Sequence, residues 1–235
     1  MRDIIAKSSN IGAIKIAQQV GRKPFYEYIR KFGFGEKSGL SLPGESAGQL
    51  KDQKNWTAMS LASISFGHEI AVTPIQMVSA LAAIANGGNL MVPHITRLLI
   101  KNGQVMERFK PEKIRRVISK KTSRKLVEVL KSVVKTGTGK KAALEGFDVA
   151  GKTGTAQKYN TETRSYSKTE FISSFVGFAP ADSPRLVILV MIDNPHGLHG
   201  GNVVAAPVFR EIAKKALRYL NVLSNKERIF ILDRA

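Results

Sequence analysis

The chain has 235 residues, 43% of them hydrophobic and none of them cysteine, which gives ample material for a folded core and no means of making a disulfide or a thiolate metal site. Lys and Arg total 37 against 18 Asp and Glu, a net charge of +19; the basic pairs Arg115-Arg116, Lys120-Lys121, Lys140-Lys141 and Lys214-Lys215 are scattered without interleaved aromatics, so they read as a solvated surface rather than a nucleic-acid platform. No apolar run, the longest being 186–192 and the interrupted 77–85, reaches the length of a membrane span, and the N-terminus lacks the zones of a signal peptide.

In chain order, residues 1–20 carry apolar positions at helical spacing (Ile4, Ile5, Ile11, Ile14, Ala17) broken by Ser8-Ser9-Asn10. This predicts two helical pieces, the second capped by Ser9 or Asn10 and ended by Gly21. A helix is expected from Pro24 to before Gly33, then a Gly-, Ser- and Pro-rich loop to Asn55 with a turn at Leu42-Pro43-Gly44-Glu45. Trp56 opens a short helix toward Ile64. Thr73, Pro74 and Gln76 form a capping-box start for a buried helix that stops at Asn86-Gly87-Gly88. Residues 91–118 read as short strands with a hairpin at Lys101-Asn102-Gly103-Gln104. An amphipathic helix over about 120–135 follows, with Leu126, Leu130 and Val133/Val134 on one face. Its tail, Lys135-Thr136-Gly137, is assigned to helix capping.

The run Val149-Ala150-Gly151-Lys152-Thr153-Gly154-Thr155-Ala156-Gln157 reads as a strand bearing one cation, two hydroxyls and a bare glycine. Runs 171–179 and 186–192 can pair with it as an antiparallel meander. Gly154 marks a bulge or a place where another backbone comes close, and a ligand backbone could lie along this edge. Lys152, Thr153 and Thr155 would then face an anionic group on that ligand. Taken alone, the run also fits a kinked surface strand with a solvated lysine, and Ser8-Ser9-Asn10 also fits caps and nothing more. Residues 158–170 are expected as a mobile polar loop, and a last helix from about Val203 to Leu220 with Phe209, Ile212 and Leu217 inward. The layout is α+β, with helices packed on an antiparallel sheet in a single domain over 1–235.

Seven stretches appear in order: Ser-Ser-Asn-Ile-Gly (8–12), Leu-Pro-Gly-Glu (42–45), Val-Thr-Pro-Ile-Gln (72–76), Ala-Asn-Gly-Gly (85–88), Gly-Lys-Thr-Gly-Thr-Ala (151–156), Phe-Val-Gly-Phe-Ala-Pro (175–180) and Val-Ala-Ala-Pro-Val-Phe (204–209). Together they resemble the transpeptidase domain of class B penicillin-binding proteins, which cross-link peptidoglycan at the division septum. The resemblance implies a penicillin-binding protein and serine β-lactamase-like fold, incomplete for want of the upstream Ser-x-x-Lys helix and first strands. It implies a serine acyl transfer on D-Ala-D-Ala stem peptides, inhibition by β-lactams, no cofactor and no metal.

By resemblance, Ser8 relays a proton to the leaving amine, Asn10 holds the substrate backbone, and Lys152 keeps the Ser8 hydroxyl in a useful state. Thr153, Gly154 and Thr155 form the substrate-binding strand, with both hydroxyls on the carboxylate and the Thr155 N–H as half of an oxyanion hole. The family's nucleophile lies in a Ser-x-x-Lys element ahead of Ser8, where this sequence has none. Ser132-Val-Val-Lys135 and Ser165-Tyr-Ser-Lys168 fit the letters but fall later, so the chain alone is expected to be inactive, with an exposed apolar groove where the upstream helix would pack. The implied partners are stem peptides, β-lactams and the division or elongation machinery, with membrane contact only through an N-terminal anchor outside this sequence. The implied location is the bacterial envelope, on the extracytoplasmic face of the cytoplasmic membrane. A penicillin-sensing receptor domain shares the same motifs, and a basic nucleic-acid-binding module rests on charge alone. His68-Glu69 adds a titratable pair, and His196-Gly-Leu-His199 lacks a third metal ligand.

Overall fold

In the computed structural model, which describes residues 1–225, the helices that follow Ser9, Thr73 and Ser119 begin where those hydroxyls take up amide N–H groups of the first turn. The chain runs through α1 (Arg2–Ala6), α2 (Asn10–Val20), α3 (Arg22–Lys31), β1 (Gln49–Leu50), α4 (Ser60–Ser65), β2 (Ile70–Ala71), α5 (Pro74–Ala85) and β3 (Asn89–Met91). It continues through β4 (Leu98–Lys101), β5 (Gln104–Arg108), β6 (Lys113–Arg116), α6 (Lys120–Lys135), β7 (Ala150–Asn160), β8 (Ser165–Ala179), β9 (Leu186–Asp193), α7 (Gly201–Val204) and α8 (Ala206–Tyr219). The fold is α+β. Two compact units are formed, one of Met1–Ala13 with the chain from Arg124 onward, the other of Ile14–Ser123.

The first unit is built on the antiparallel meander β7-β8-β9. Phe175 and Phe209 lie in its core with ring centroids 4.7 Å apart. Room for them comes from the facing pair Gly151 and Gly177, where an added Cβ would sit 2.6 and 2.8 Å from the Phe175 ring. On α8 the buried stripe is Ala206, Phe209, Ala213 and Leu217, at helical spacing. Ile212 is 44% exposed rather than inward; it lies one residue, about 100° of helix rotation, off that stripe, and Ala213 takes its place.

Lys131, whose side chain is only 11% exposed, joins α6 to the start of β7 and to the β8–β9 turn through Asp148 at 2.8 Å and Asp182 at 3.1 Å. Burial pulls its ammonium pKa down, but the two carboxylates outweigh burial and hold it above the ordinary lysine value. Asp148 is held below the usual carboxylate range, first by its hydrogen bond to Lys131, against burial and with help from Lys135 at 3.2 Å.

Residues 158–170 are not a loop. β7 and β8 continue past the core as a hairpin joined by 161–164, with Tyr159 opposite Tyr166 and their ring centroids 5.2 Å apart. Lys158 pairs with Asp193 at 2.9 Å. Polarity pointed to a loop, but a two-stranded extension satisfies its own backbone groups and needs no apolar face while its root is anchored in a sheet.

In the second unit Gln76, 3% exposed, organises the start of α5. Its Oε1 accepts from Thr73 N–H and Thr73 Oγ1 accepts from Gln76 N–H, the expected capping box. Its Nε2 also donates to the carbonyls of Glu36 and Ala47, both at 2.8 Å, so a capping residue doubles as the tie for the 33–48 loop. The β4–β5 hairpin turns at Asn102 and Gly103, both at positive φ as this turn demands. Trp56 is buried, its indole N–H donating to Lys51 O at 3.0 Å, but it precedes α4 rather than opening it: Ser60 Oγ accepts from Thr57 N–H and the helix begins there. Glu69 accepts from the Ser60 hydroxyl at 2.8 Å and lies 3.7 Å from Lys51, while His68 packs edge-on against Phe66.

Candidate active site

The corner between α1 and α2 holds Ser8 in a left-handed conformation, φ 54°. A β-carbon disfavours that region. Two contacts flank it. Ser9 caps α2 by accepting from Gly12 N–H at 3.2 Å, and the buried end of α1 is tethered by Thr138 N–H donating to Ala6 O at 3.0 Å. Gly137 permits that tether, because a Cβ there would collide with the Ala6 carbonyl oxygen. Ser8 is left exposed at the tip of the corner.

β7 presents the other half. Lys152 Nζ donates to Ser8 Oγ at 2.7 Å, across 144 residues, and to Thr153 O at 2.9 Å. Burial without a carboxylate partner lowers its pKa from 10.5 to about 8. The amine thus titrates far closer to neutral pH than an exposed lysine does. Thr153 Oγ1 lies 2.8 Å from Thr138 Oγ1, and Thr155 Oγ1 accepts from Gly201 N–H at 3.1 Å.

A Cβ on Gly154 would meet the Ser174 hydroxyl at 2.6 Å, which could turn aside, whereas the backbone of Gly201 approaches Gly154 O so closely that a Cβ on Gly201 would collide with it. The Gly201 backbone thus lies against the Gly154 carbonyl, while the Cβ position of Gly154 itself faces Ser174. The sheet's irregularity falls later, between Gln157 and Tyr159. Asn10 occupies the first turn of α2 with an exposed side chain that makes no hydrogen bond among the described residues.

A lysine–serine pair beside a strand of hydroxyls is the arrangement of serine acyl-transfer enzymes that use no histidine. Residues 1–214 match the sequence family described as penicillin-binding protein transpeptidase domain. The chain belongs to that family. Its relatives are class B penicillin-binding proteins. It is 39% identical over 230 residues to stage V sporulation protein D of Bacillus subtilis, covering 97% of this chain and 35% of that protein. To penicillin-binding protein PbpB of Mycolicibacterium smegmatis it is 41% identical over 229 residues, covering 93% of this chain and 35% of that one. The fold matches penicillin-binding protein 3 of Mycobacterium tuberculosis complexed with aztreonam at TM-score 0.87 and 35% identity, covering 95% of this chain and 52% of that one. It also matches the apo TP domain of Burkholderia pseudomallei penicillin-binding protein 3 at TM-score 0.82 and 38% identity, covering 94% and 65%. The chain spans about a third of the length of the curated relatives it matches.

In this chain neither internal Ser-x-x-Lys copy resembles a cleft nucleophile. Ser132 spends its hydroxyl on Val129 O at 2.6 Å within α6. Ser165 pairs with Asn160, eight residues along β7 from Lys152, about 26 Å at ~3.3 Å per residue. His199 stacks on Phe171 at 4.0 Å, and no cluster of three or more potential metal ligands occurs among the described residues. Sequence reasoning set aside the second Lys-Thr-Gly as a helix cap and stopped one residue short of Thr138. Gly201 was likewise passed over: a glycine pair before the last helix gave no sign that its amide meets Thr155.

Proposed function

We propose that this chain forms the substrate-holding part of a peptidoglycan D,D-transpeptidase, cross-linking D-Ala-D-Ala stem peptides by serine acyl transfer and binding β-lactams in the same place. The observation that carries the reading is the 2.7 Å bond between Lys152 Nζ and Ser8 Oγ, with the Thr153 and Thr155 hydroxyls next along the strand. A serine nucleophile gives up its proton and attacks the penultimate D-Ala carbonyl, the peptide C–N bond breaks, and D-Ala leaves as an amine that takes a proton through Ser8, recharged by Lys152. An amine of a second stem peptide then attacks the acyl ester, forms the cross-link and returns the proton to the departing serine oxygen. The Thr153 and Thr155 hydroxyls receive the terminal carboxylate. The Thr155 N–H donates to the developing oxyanion, and the exposed Asn10 amide holds the stem-peptide backbone. No step calls for a metal or cofactor.

The nucleophile, in this reading, comes from a Ser-x-x-Lys segment outside these 235 residues, so the chain by itself is not acylated. The reading places the protein in the cell envelope, outside the cytoplasmic membrane, where its +19 charge suits anionic wall polymers and lipids and where division or elongation proteins are its partners. Among the described residues no helix is long and apolar enough to cross a membrane.

The test is labelling with a fluorescent penicillin, followed by intact-mass analysis. It is made on the 235-residue chain and on a fusion that places ahead of it the segment preceding the matched region in PbpB of M. smegmatis, with full-length PbpB as control. Label only on the fusion, at the added serine, is the expected result. Label on the chain alone would put the nucleophile within it, and an unlabelled fusion beside labelled PbpB would sink the assignment of the site.

A further inference from the structure

The two hydroxyls assigned above to the carboxylate differ in what stands behind them. A threonine hydroxyl has one proton and two acceptor lone pairs. Thr155 Oγ1 accepts from the Gly201 N–H at 3.1 Å, which cannot reverse, so its single proton is left to donate outward. Behind Thr153 stands not an N–H but a second hydroxyl, Thr138 Oγ1 at 2.8 Å, and either oxygen can be the donor of that bond. If Thr153 donates inward, its proton is spent and it meets a carboxylate with lone pairs only. If Thr138 donates to Thr153, the Thr153 proton is free for the anion.

We propose that Thr138 is a positioning and specificity residue of this site: its hydroxyl donates to Thr153 Oγ1 and thereby turns the Thr153 proton toward the terminal carboxylate of the bound peptide. The inference rests on the reading of β7 as the carboxylate-binding strand. Three further features support it. Thr138 has no other side-chain partner among the described residues, so nothing competes for its proton. Its backbone is held in place by the bond from its own N–H to Ala6 O, at the corner that carries Ser8. Its half-buried setting strengthens a relay of two hydroxyls ending on a charge, because each bond polarises the next. A residue that stabilises one orientation of a proton contributes in proportion to the bond that proton then makes, and a bond to a carboxylate is roughly twice as strong as one to the carbonyl of a neutral amide, so Thr138 acts more strongly on the carboxylate form of a ligand than on its neutral analogue.

The experiment uses the 235-residue chain and two probes: an acylated tripeptide ending in D-Ala-D-Ala with a free carboxylate, and the same peptide as its C-terminal amide. Dissociation constants for both are read from amide shifts in NMR titrations of the wild type, Thr138→Val and Thr138→Ser. Valine keeps the shape and the backbone tether to Ala6 and removes only the hydroxyl. The wild type is expected to prefer the carboxylate, Thr138→Val to lose about 3- to 10-fold of that preference, the range of one net hydrogen bond, and Thr138→Ser to keep it. Affinity for the amide, whose carbonyl accepts the same proton without the help of a charge, should fall by less than affinity for the carboxylate in Thr138→Val and stay unchanged in Thr138→Ser. A wild-type chain with no preference for the carboxylate would overturn the carboxylate strand itself, and the relay with it. A wild type that prefers the carboxylate, with Thr138→Val preferring it equally, would overturn the relay alone. So would Thr138→Ser behaving like Thr138→Val, or an equal loss on both peptides, which marks mere structural damage.

Discussion

Replacing Lys152 with methionine should make the protein more stable at neutral pH and abolish a pH dependence that belongs to this one side chain. In the folded chain the Lys152 pKa falls from 10.5 to about 8 because the ammonium is buried without a carboxylate. A drop of that size corresponds to about 3 kcal/mol against the charged folded state, at ~1.36 kcal/mol per unit. The bonds to Ser8 Oγ and Thr153 O are lost in the variant and return about 1 kcal/mol each. The methionine variant should therefore gain roughly 1–2 kcal/mol at pH 7.

Because the folded pKa lies below the unfolded one, the unfolded chain holds more protons between about pH 8 and 10.5, and wild-type stability rises with pH across that window. Below about pH 8 the full penalty applies. Above 10.5 it has vanished, leaving the wild type equal to or more stable than the variant. Urea unfolding of both proteins at pH 7, 8, 9 and 10 isolates the effect, since every other titrating group cancels in the difference. A difference that stays flat from pH 7 to 10 would refute the argument that burial tunes this lysine. The variant should also lose acylation in the fused form, a stability gain at the expense of function.

The corner that carries Ser8 offers a separate test: Gly137→Ala drives a Cβ into the Ala6 carbonyl and should move Ser8 off Lys152. Penicillin labelling of the fused protein should fall by at least about 10-fold, the scale of ~1.4 kcal/mol in a barrier, while circular dichroism stays native; unchanged labelling would show that the tether does not set the Ser8 position. In the second unit, Gln76→Leu preserves volume but strands the Glu36 and Ala47 carbonyls and the Thr73 N–H. It should cost about 2–4 kcal/mol in urea unfolding, since buried groups left without partners carry their full desolvation penalty. A loss under about 1 kcal/mol would mean the 33–48 loop is held by something else.

What was legible in the sequence was what neighbours along the chain decide. The α5 capping box, the Ser9 cap of α2, the Asn102-Gly103 turn and the three strands of the meander are each set by groups a few residues apart, so their letters suffice. Family membership was legible too, because ordered motifs over most of the chain leave little freedom. Local composition misled where the deciding contact was distant. The polar stretch 158–170 became a hairpin, its own two arms pairing, because its root is anchored in the sheet where β7 and β8 pair across the core, and Ile212 lost the core to Ala213 because the packing of α8, not hydrophobicity, chose the stripe.

The candidate site divides along the same line. Its residue types, Ser8, Asn10, Lys152, Thr153, Gly154 and Thr155, could be named from the sequence. The 2.7 Å Ser8–Lys152 bond, the lowered lysine pKa and the partners Thr138 and Gly201 could not. A pKa depends on how much water surrounds a group and a hydroxyl's direction on what lies behind it. Both are properties of the space that distant segments enclose, which exists only once the chain has folded.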